Sequence, residues 1–506
     1  MPRLLWAALG TLLIGLGAVP AARVPIVGDD FQAFFETYAI GDGDVLKVLA
    51  FGWHQGTAAG HFNPIGQALG ALHHFTIYRV SAGLGVPPQL TDVAVGTALI
   101  WLTVLAAATV LVNGLRYAGL TPRLDLWRAF ALLAGITAVT LQLHPWTNDP
   151  VTTYLPAGWG SAVIGFTLLG LALHATLPGR RGWVDIALVG VVALVAVLYY
   201  EMLVGMVVGT AVVYAGTVVR GRRRGDRPQV VRALVLIGVG VVLPALVFVG
   251  GRLLAAPAES SNYSGTTISL GPDALHTWWV AMVGAVPTGG WPYLIRMSGG
   301  RIPFETKPVL FALALLAGVV VLVAAWRRVP VLAGGWSKAA LVPVGAVVAA
   351  WAATTATHAT SQKYIDEIKE PGQVYLYYAV GVICVALLIA ALVVTVLPAA
   401  GSLVRSVALL LLGAFVAVQA PLNWQLSQIS AEAYGINRNL SAAAADDGVP
   451  EQIRCDTLLD WAERGWPEYY LDAVSEDVLE DFERAFGEPF CSDRSVLRKI
   501  AALPVG

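Results

Sequence analysis

Residues 183–227 read WVDIALVGVVALVAVLYYEMLVGMVVGTAVVYAGTVVRGRRRGDR. The apolar run is too long for one membrane crossing, because about 20 apolar residues already span the hydrocarbon core. Only YYEM, residues 199–202, interrupts it. The stretch therefore predicts two spans, 183–200 and 202–220, joined as a hairpin with Glu201 at its tip. It ends in VRGRRRGDR, residues 219–227, the strongest basic cluster of the chain. Such a cluster beside a span marks the cytoplasmic side, so Glu201 is expected on the opposite face.

The remaining sequence follows the same pattern. Its 506 residues are 57% hydrophobic and only 13% charged, whereas soluble domains carry about 25% charged residues. Mean hydropathy is +0.68. Eleven spans are predicted: 4–22, 91–112, 128–145, 158–177, 183–200, 202–220, 231–252, 308–326, 338–358, 375–397 and 403–421. With that count, Arg3, Arg116, Arg123, Arg128, Arg180, Arg181, Arg327, Arg328, Lys338 and Arg405 all fall on the side of the 219–227 cluster. The N-terminus is then cytoplasmic and the C-terminus extracytoplasmic. The first segment also fits a cleaved signal peptide, since GLGAVPAARV offers small residues at cleavage positions; the remaining topology is the same either way. A net charge of −1 creates no general attraction for nucleic acid. We find no P-loop, no Rossmann glycine pattern, no internal repeat and no metal-type cysteine pairing.

The fold class is thus an all-α polytopic membrane protein with two domains, a transmembrane domain over 1–421 and a small α-helical extracytoplasmic tail over 422–506. The outer parts are 23–90, 146–157, the tip at Glu201, 253–307, 359–374 and the tail. The tail is acidic and aromatic and contains Cys455 and Cys491, while Cys384 lies within a span. Outside the cytoplasm two such cysteines suggest a disulfide; two free thiols remain the alternative.

The first outer part begins VPIVGDDFQAFFETYAIGDGD, residues 24–44. Phe31, Phe34, Phe35 and Tyr38 recur at helical spacing, which predicts an amphipathic helix lying on the membrane surface. Residues 64–80 predict a second surface helix. Asp29 and Asp30 precede the first one. They read either as helix caps, Asp29 with Gln32 having capping-box spacing, or as reactive carboxylates. His54, His61, His73 and His74, half of the eight histidines, lie in the same part. Asp149 reads as a turn residue or a second acid of the site, and Glu201 as an acid held close to apolar membrane. Trp278, Trp279, Trp291 and Tyr293 fit an interfacial belt or a sugar-stacking surface. Arg296, Arg301, Lys363 and Lys369 stand on the outer side against the charge rule, which makes them candidate phosphate ligands. For the two lysines, pairing with Glu367 and Asp366 along one helix is the structural alternative.

The GDD at 28–30 directly outside the first span, a long first outer part with two surface helices, and an HFNP at 61–64 resemble the GT-C glycosyltransferases. The resemblance covers the architecture of about residues 1–420. It implies transfer of a sugar from a polyprenyl-phosphate donor, in a bacterial plasma membrane, to a glycan, lipid or protein acceptor, with membrane lipid as surroundings and no nucleic acid as partner. It implies Asp30 as general base and Asp29 as its neighbour or a metal ligand, with the order open. A divalent metal, Mg or Mn, would take Asp29 and Asp149. Arg296, Arg301, Lys363 and Lys369 would bind the donor phosphate, and His54, His61, Asp149 and Glu201 would line the cavity. The tail does not resemble the β-rich modules of some members. A lipid or polysaccharide transporter or flippase, and a non-catalytic envelope scaffold, are the other classes. A transporter would place charges at mid-depth, and Asp185 and Arg232 lie instead near the cytoplasmic ends of their spans.

Overall fold

The structure, a computed structural model, describes residues 3–57, 62–120, 124–144, 149, 151–177, 182–255, 265, 267–326, 338–397 and 401–503. His61, Arg123, Arg180, Arg181, Arg327 and Arg328 lie outside the described residues. In chain order the helices are α1 (Arg3–Ala18), α2 (Asp29–Gly41), α3 (Val45–Gln55), α4 (Pro64–Leu84), α5 (Pro88–Tyr117), α6 (Leu126–Thr140), α7 (Ser161–Ala175), α8 (Trp183–Tyr199), α9 (Val204–Arg224), α10 (Arg227–Ile237) and α11 (Leu243–Leu254). Then come α12 (Pro272–Gly284), α13 (Trp291–Met297), α14 (Thr306–Trp326), α15 (Leu341–Ala359), α16 (Gln362–Glu367), α17 (Tyr377–Thr395) and α18 (Ser402–Ala433). The last four are α19 (Gly435–Ala444), α20 (Glu451–Ala462), α21 (Glu468–Phe486) and α22 (Arg494–Ala501). One isolated bridge, Ile268 to Ser361, is the only extended pairing among the described residues.

Among the described residues, eight helical segments are long and apolar enough to cross a membrane: Pro88–Tyr117, Pro156–Ala175, Glu201–Arg224, Arg227–Leu254, Thr306–Trp326, Lys338–Ala359, Tyr377–Thr395 and Ser402–Ala433. Three shorter apolar helices, α1, α6 and α8, occupy the other predicted spans. The apolar windows of Pro156–Ala175 and Tyr377–Thr395 are 72% and 67% buried, whereas those of Ser402–Ala433 and Arg227–Leu254 are 17% and 22% buried. The first two are therefore central, and the last two present apolar sides that suit lipid rather than water. The break between α8 and α9 falls at Glu201, as the opening stretch predicts. Small residues let α9 approach α15: a Cβ on Gly205 would meet the Thr354 backbone nitrogen at 2.2 Å. The division at 421/422 falls inside α18, which runs through Pro421 to Ala433, so the separate helices of the tail begin at Gly435.

Helix α6 stops at Thr140, and the next residues run unwound through the bundle. Buried non-helical backbone needs protein partners for its polar groups, and side chains supply several of them. Asn423 of α18 donates to the Leu141 carbonyl at 2.8 Å and accepts the Leu143 N–H at 3.1 Å. The Tyr378 hydroxyl accepts the Gln142 N–H at 2.8 Å, and Asp149 accepts that of His144 at 3.0 Å. Gln419, one turn before Asn423, donates to it at 2.8 Å. Asn423→Ala should therefore strand two buried backbone groups and lower stability by about 2 kcal/mol. A thermal-unfolding midpoint equal to wild type would show that water replaces the amide.

The tail and the first outer part make one helical layer. Phe31, Phe34 and Phe35 are fully buried, in a core with Ile26, Tyr78, Leu458, Trp461, Val474 and Phe482. This corrects the expectation that their face lies on the membrane: the periodicity marks a buried face, which α4 and the tail helices α20 and α21 cover. The Asn437 amide donates to the Ile26 carbonyl and the Tyr78 hydroxyl to that of Ala444. Cys455 and Cys491 form a disulfide, with Cα atoms 5.0 Å apart, and Cys384 is buried as a free thiol.

Three carboxyls are caught between α2 and α21. Burial, then the charges of Glu36, Glu480 and Glu476, pushes Asp477 up to about 7. Burial likewise raises Glu36, which the nearby His74 opposes, and raises the fully buried Asp481. A carboxyl raised in the docked state favours docking fully below its ordinary value, and that contribution is lost as pH rises through the docked value. Protease cleavage in the tail should thus increase between about pH 5 and pH 8. Cleavage independent of pH over that range would mean that the carboxyls are solvated.

Candidate functional site

The two acids open α2, after Gly28, whose φ of 60° and ψ of −143° suit glycine alone. No side chain caps this helix, so the capping use of Asp29 is not made. Asp30 is buried. Its Oδ1 lies 3.1 Å from His74 Nε2 on α4, and its Oδ2 accepts the Tyr154 N–H at 2.5 Å. Asp29 is exposed, and its Oδ2 accepts the Tyr154 hydroxyl at 2.7 Å. One tyrosine thus binds both acids. Its φ is 51°, a left-handed value uncommon for a residue with a Cβ. Backbone of this kind costs energy and collects at sites whose geometry is over-determined.

Behind the acids lies a second pair. His73 Nε2 is 3.0 Å from Asp92 Oδ1, and the His73 and His74 rings are 5.1 Å apart. Burial alone would lower the His74 pKa, but the hydrogen bond and charge of Asp30, with the charge of Asp92, outweigh it and raise the value. The imidazolium form is therefore favoured beside Asp30. The tail closes the other side: the Tyr470 hydroxyl of α21 donates to the Gly28 carbonyl at 3.1 Å. Burial, then the charges of Asp29, Tyr469 and Asp30, raises the Tyr470 phenol.

The segment 359–377 completes the surroundings. The Tyr154 ring is 5.8 Å from that of Tyr375, which is 4.7 Å from Tyr364, itself 4.9 Å from His358. Lys363 Nζ stands 5.8 Å over the Tyr375 ring. Burial raises Glu367, Lys363 opposes this, and the charge of Asp29 adds to it. Its Oε2 is buried without a hydrogen-bond partner. Lys363 and Glu367 are therefore neighbours of the acid pair.

The other predicted site residues are placed differently. Arg296 forms an ion pair with Glu370 and stacks over Tyr293 at 5.4 Å. Lys369 Nζ donates to the Ile365 carbonyl at 2.7 Å, and Arg301 is exposed. No ion pair or hydrogen bond joins these three to Asp29 or Asp30 among the described residues. Glu201 pairs with Arg252 and accepts the Phe62 N–H at 3.2 Å, so it fastens α9 to α11 and to the first outer part. His54 is exposed at the end of α3. Trp278 donates to the Ala352 carbonyl and Trp291 to Gln419, so both pack between helices, while Trp279 is exposed.

Asp149 is buried, and its two carboxylate oxygens accept the N–H groups of His144 and Val151, each at 3.0 Å. That is a turn-forming role. No group of three or more His, Cys, Asp or Glu side chains fit to hold a metal exists among the described residues. Asp149 Oδ1 also lies 3.6 Å from His144 Nδ1.

Sequence reasoning did not assign Tyr154, Asp92, Glu367 or Tyr470 to the site. The histidine doublet at 73–74 was the visible signal for part of it. No family model matches the chain, nor does any of the curated proteins or solved structures compared with it.

Proposed function

We propose that the protein is an integral membrane glycosyltransferase of the GT-C kind, moving a sugar from a polyprenyl-phosphate donor to an extracytoplasmic glycan, lipid or protein acceptor. The observation that supports it best is an exposed carboxylate, Asp29, oriented by Tyr154 beside a buried Asp30–His74 pair. A general base must reach the hydroxyl that it deprotonates. Asp29 can do so; Asp30 is enclosed and already bound by His74 and Tyr154. We therefore assign Asp29 as the base and Asp30 as the group that positions it.

In the proposed step the acceptor oxygen attacks the anomeric carbon and gives its proton to Asp29. The bond from that carbon to the phosphate oxygen breaks, and the lipid phosphate leaves with the electron pair. Lys363, which stands over the Tyr375 ring and acts on Glu367 as Asp29 does, offsets the phosphate charge. No metal is needed to balance the step. The aromatic surfaces of Tyr154 and Tyr375 suit the apolar face of a sugar ring.

The reading includes eleven spans in a bacterial plasma membrane, α1, α6 and α8 among them, with the N-terminus cytoplasmic. Reporter fusions should give a cytoplasmic signal at 222–226 and an external one after residue 430; the same side at both points would overturn the topology. The decisive experiment is incubation of the purified protein with radiolabelled polyprenyl-phosphate sugars, together with mass spectrometry of its co-purified lipids. Donor consumption or bound polyprenyl phosphate supports the proposal, and neither in active membrane extracts would sink it. The unwound segment 141–144 and its polar network favour a second reading, a lipid or polysaccharide transporter, because helices broken inside the bundle are typical of transporters.

A further inference from the structure

A cation at the same end of the bundle has no carboxylate partner among the described residues. Arg23 ends the single helical turn Ala21–Arg23 that follows α1. Its guanidinium carbon lies 4.6 Å above the ring of Trp424 on α18. Stacking of this kind fixes the plane of the guanidinium and leaves its N–H edge to be satisfied by something else. Among the described residues nothing does so. Arg23 Nη1 is buried without a hydrogen-bond partner, and no carboxylate pairs with the side chain. The indole N–H of Trp424, the ring on which Arg23 stacks, is also buried without a hydrogen-bond partner.

Other cations of the chain behave otherwise. Arg252 has Glu201, Arg296 has Glu370, Arg484 has Asp42, and Lys369 has the Ile365 carbonyl. The site also sits where lipid reaches the bundle. Trp424 packs on Phe311 of α14 at 5.6 Å, and Leu310 and Leu313 of the same helix are exposed apolar side chains. Arg23 as a whole is only partly buried. Gln89 of α5 donates to the Ala22 carbonyl and holds the turn in place. A planar cation and an adjacent indole donor, at a lipid-facing junction and without acceptors, match the oxygens of a phosphate.

We propose that Arg23 and Trp424 form a phosphate-binding site at the junction of α1, α14 and α18, which takes the headgroup of an anionic phospholipid. This inference does not depend on the transferase reading, because any lipid phosphate satisfies it.

Native mass spectrometry of the full-length, disulfide-intact protein, titrated with dioleoyl phosphatidylglycerol and in parallel with dioleoyl phosphatidylcholine, tests it. Wild type should retain the anionic lipid preferentially. Arg23→Gln should weaken that retention by about tenfold, equivalent to about 1.4 kcal/mol. Arg23→Lys, which keeps the charge and loses the planar edge, should fall between. Trp424→Phe keeps the stacked ring and removes only the N–H; it should also weaken binding, and it stands as the test where Arg23→Gln fails to fold. Persistence of the bound lipid against excess inorganic phosphate supports a lipid headgroup site. Full displacement shows that phosphate alone suffices, and so supports the phosphate chemistry with a soluble source. Equal retention of phosphatidylglycerol by wild type, Arg23→Gln and Trp424→Phe overturns the proposal.

Discussion

Asp29→Asn is expected to cut sugar transfer by about 10²-fold or more while the protein stays folded. The side chain is exposed, and its described contact is one hydrogen bond from the Tyr154 hydroxyl, which an amide oxygen can also accept. Its loss should therefore leave the unfolding midpoint within experimental scatter. Asp30 should behave differently. Asp30→Ala removes the counter-charge of a buried histidine and the acceptor of the Tyr154 N–H. Breaking a buried pair from one side costs about 3–5 kcal/mol, so this variant should lose stability and transfer together. The contrast separates a base from its support. Near-normal turnover in Asp29→Asn would remove it as the base. Full stability in Asp30→Ala would show that the His74 pair does not hold the site.

Tyr154 connects these outcomes. Its N–H and hydroxyl go to different acids, so a left-handed tyrosine sets the spacing of the two carboxylates. Phe at this position keeps the backbone contact to Asp30 and releases Asp29 alone. In the proposed mechanism such a variant lowers transfer without the stability loss of Asp30→Ala.

Local chemistry was legible in the sequence where one segment decides the outcome. The apolar runs, the interruption at Glu201, the helical face of Phe31, Phe34 and Phe35, and the tail cysteines all appear as helices, a break, a buried face and a disulfide. What a face packs against was not legible. Three phenylalanines at helical spacing look the same whether lipid or other helices cover them, and here α4, α20 and α21 cover them. The site depended on long-range contacts of the same kind. Tyr154 lies 124 residues from Asp30 in sequence, and Tyr470 lies 442 residues from Gly28. Neither tyrosine has a local signature. A non-glycine residue also gives no sequence sign of a positive φ. Asp149 was the reverse case: its turn between irregular segments was readable, and the turn is what its carboxylate serves. The pair Gln419 and Asn423, four residues apart at the end of an apolar run, was a visible signal for the unwound segment that it satisfies.

Opening the Cys455–Cys491 bridge should destabilise the tail by about 4 kcal/mol, the value expected for a loop of this length from chain entropy. The two cysteines are 36 positions apart, and the bridge joins α20 to the segment before α22. The tail is small, and much of its apolar core is shared: Trp461 packs against Phe31 at 6.1 Å, and Tyr470 reaches Gly28. A core divided between two segments depends on both being held together. Loss of the bridge should therefore loosen α2 as well, and through Gly28 disturb the direction in which Asp29 and Asp30 leave the helix. The expected result for a Cys455→Ser, Cys491→Ser double variant is a lower denaturation midpoint for the tail, faster proteolysis after residue 435, and reduced transfer with Asp29 intact. Alkylation of the native protein without reductant should modify Cys384 at most, since the other two are bonded to each other. If all three cysteines are alkylated, or if the double variant keeps the wild-type midpoint, then packing against α2 alone holds the tail. The acids would then owe their orientation to Tyr154 and His74.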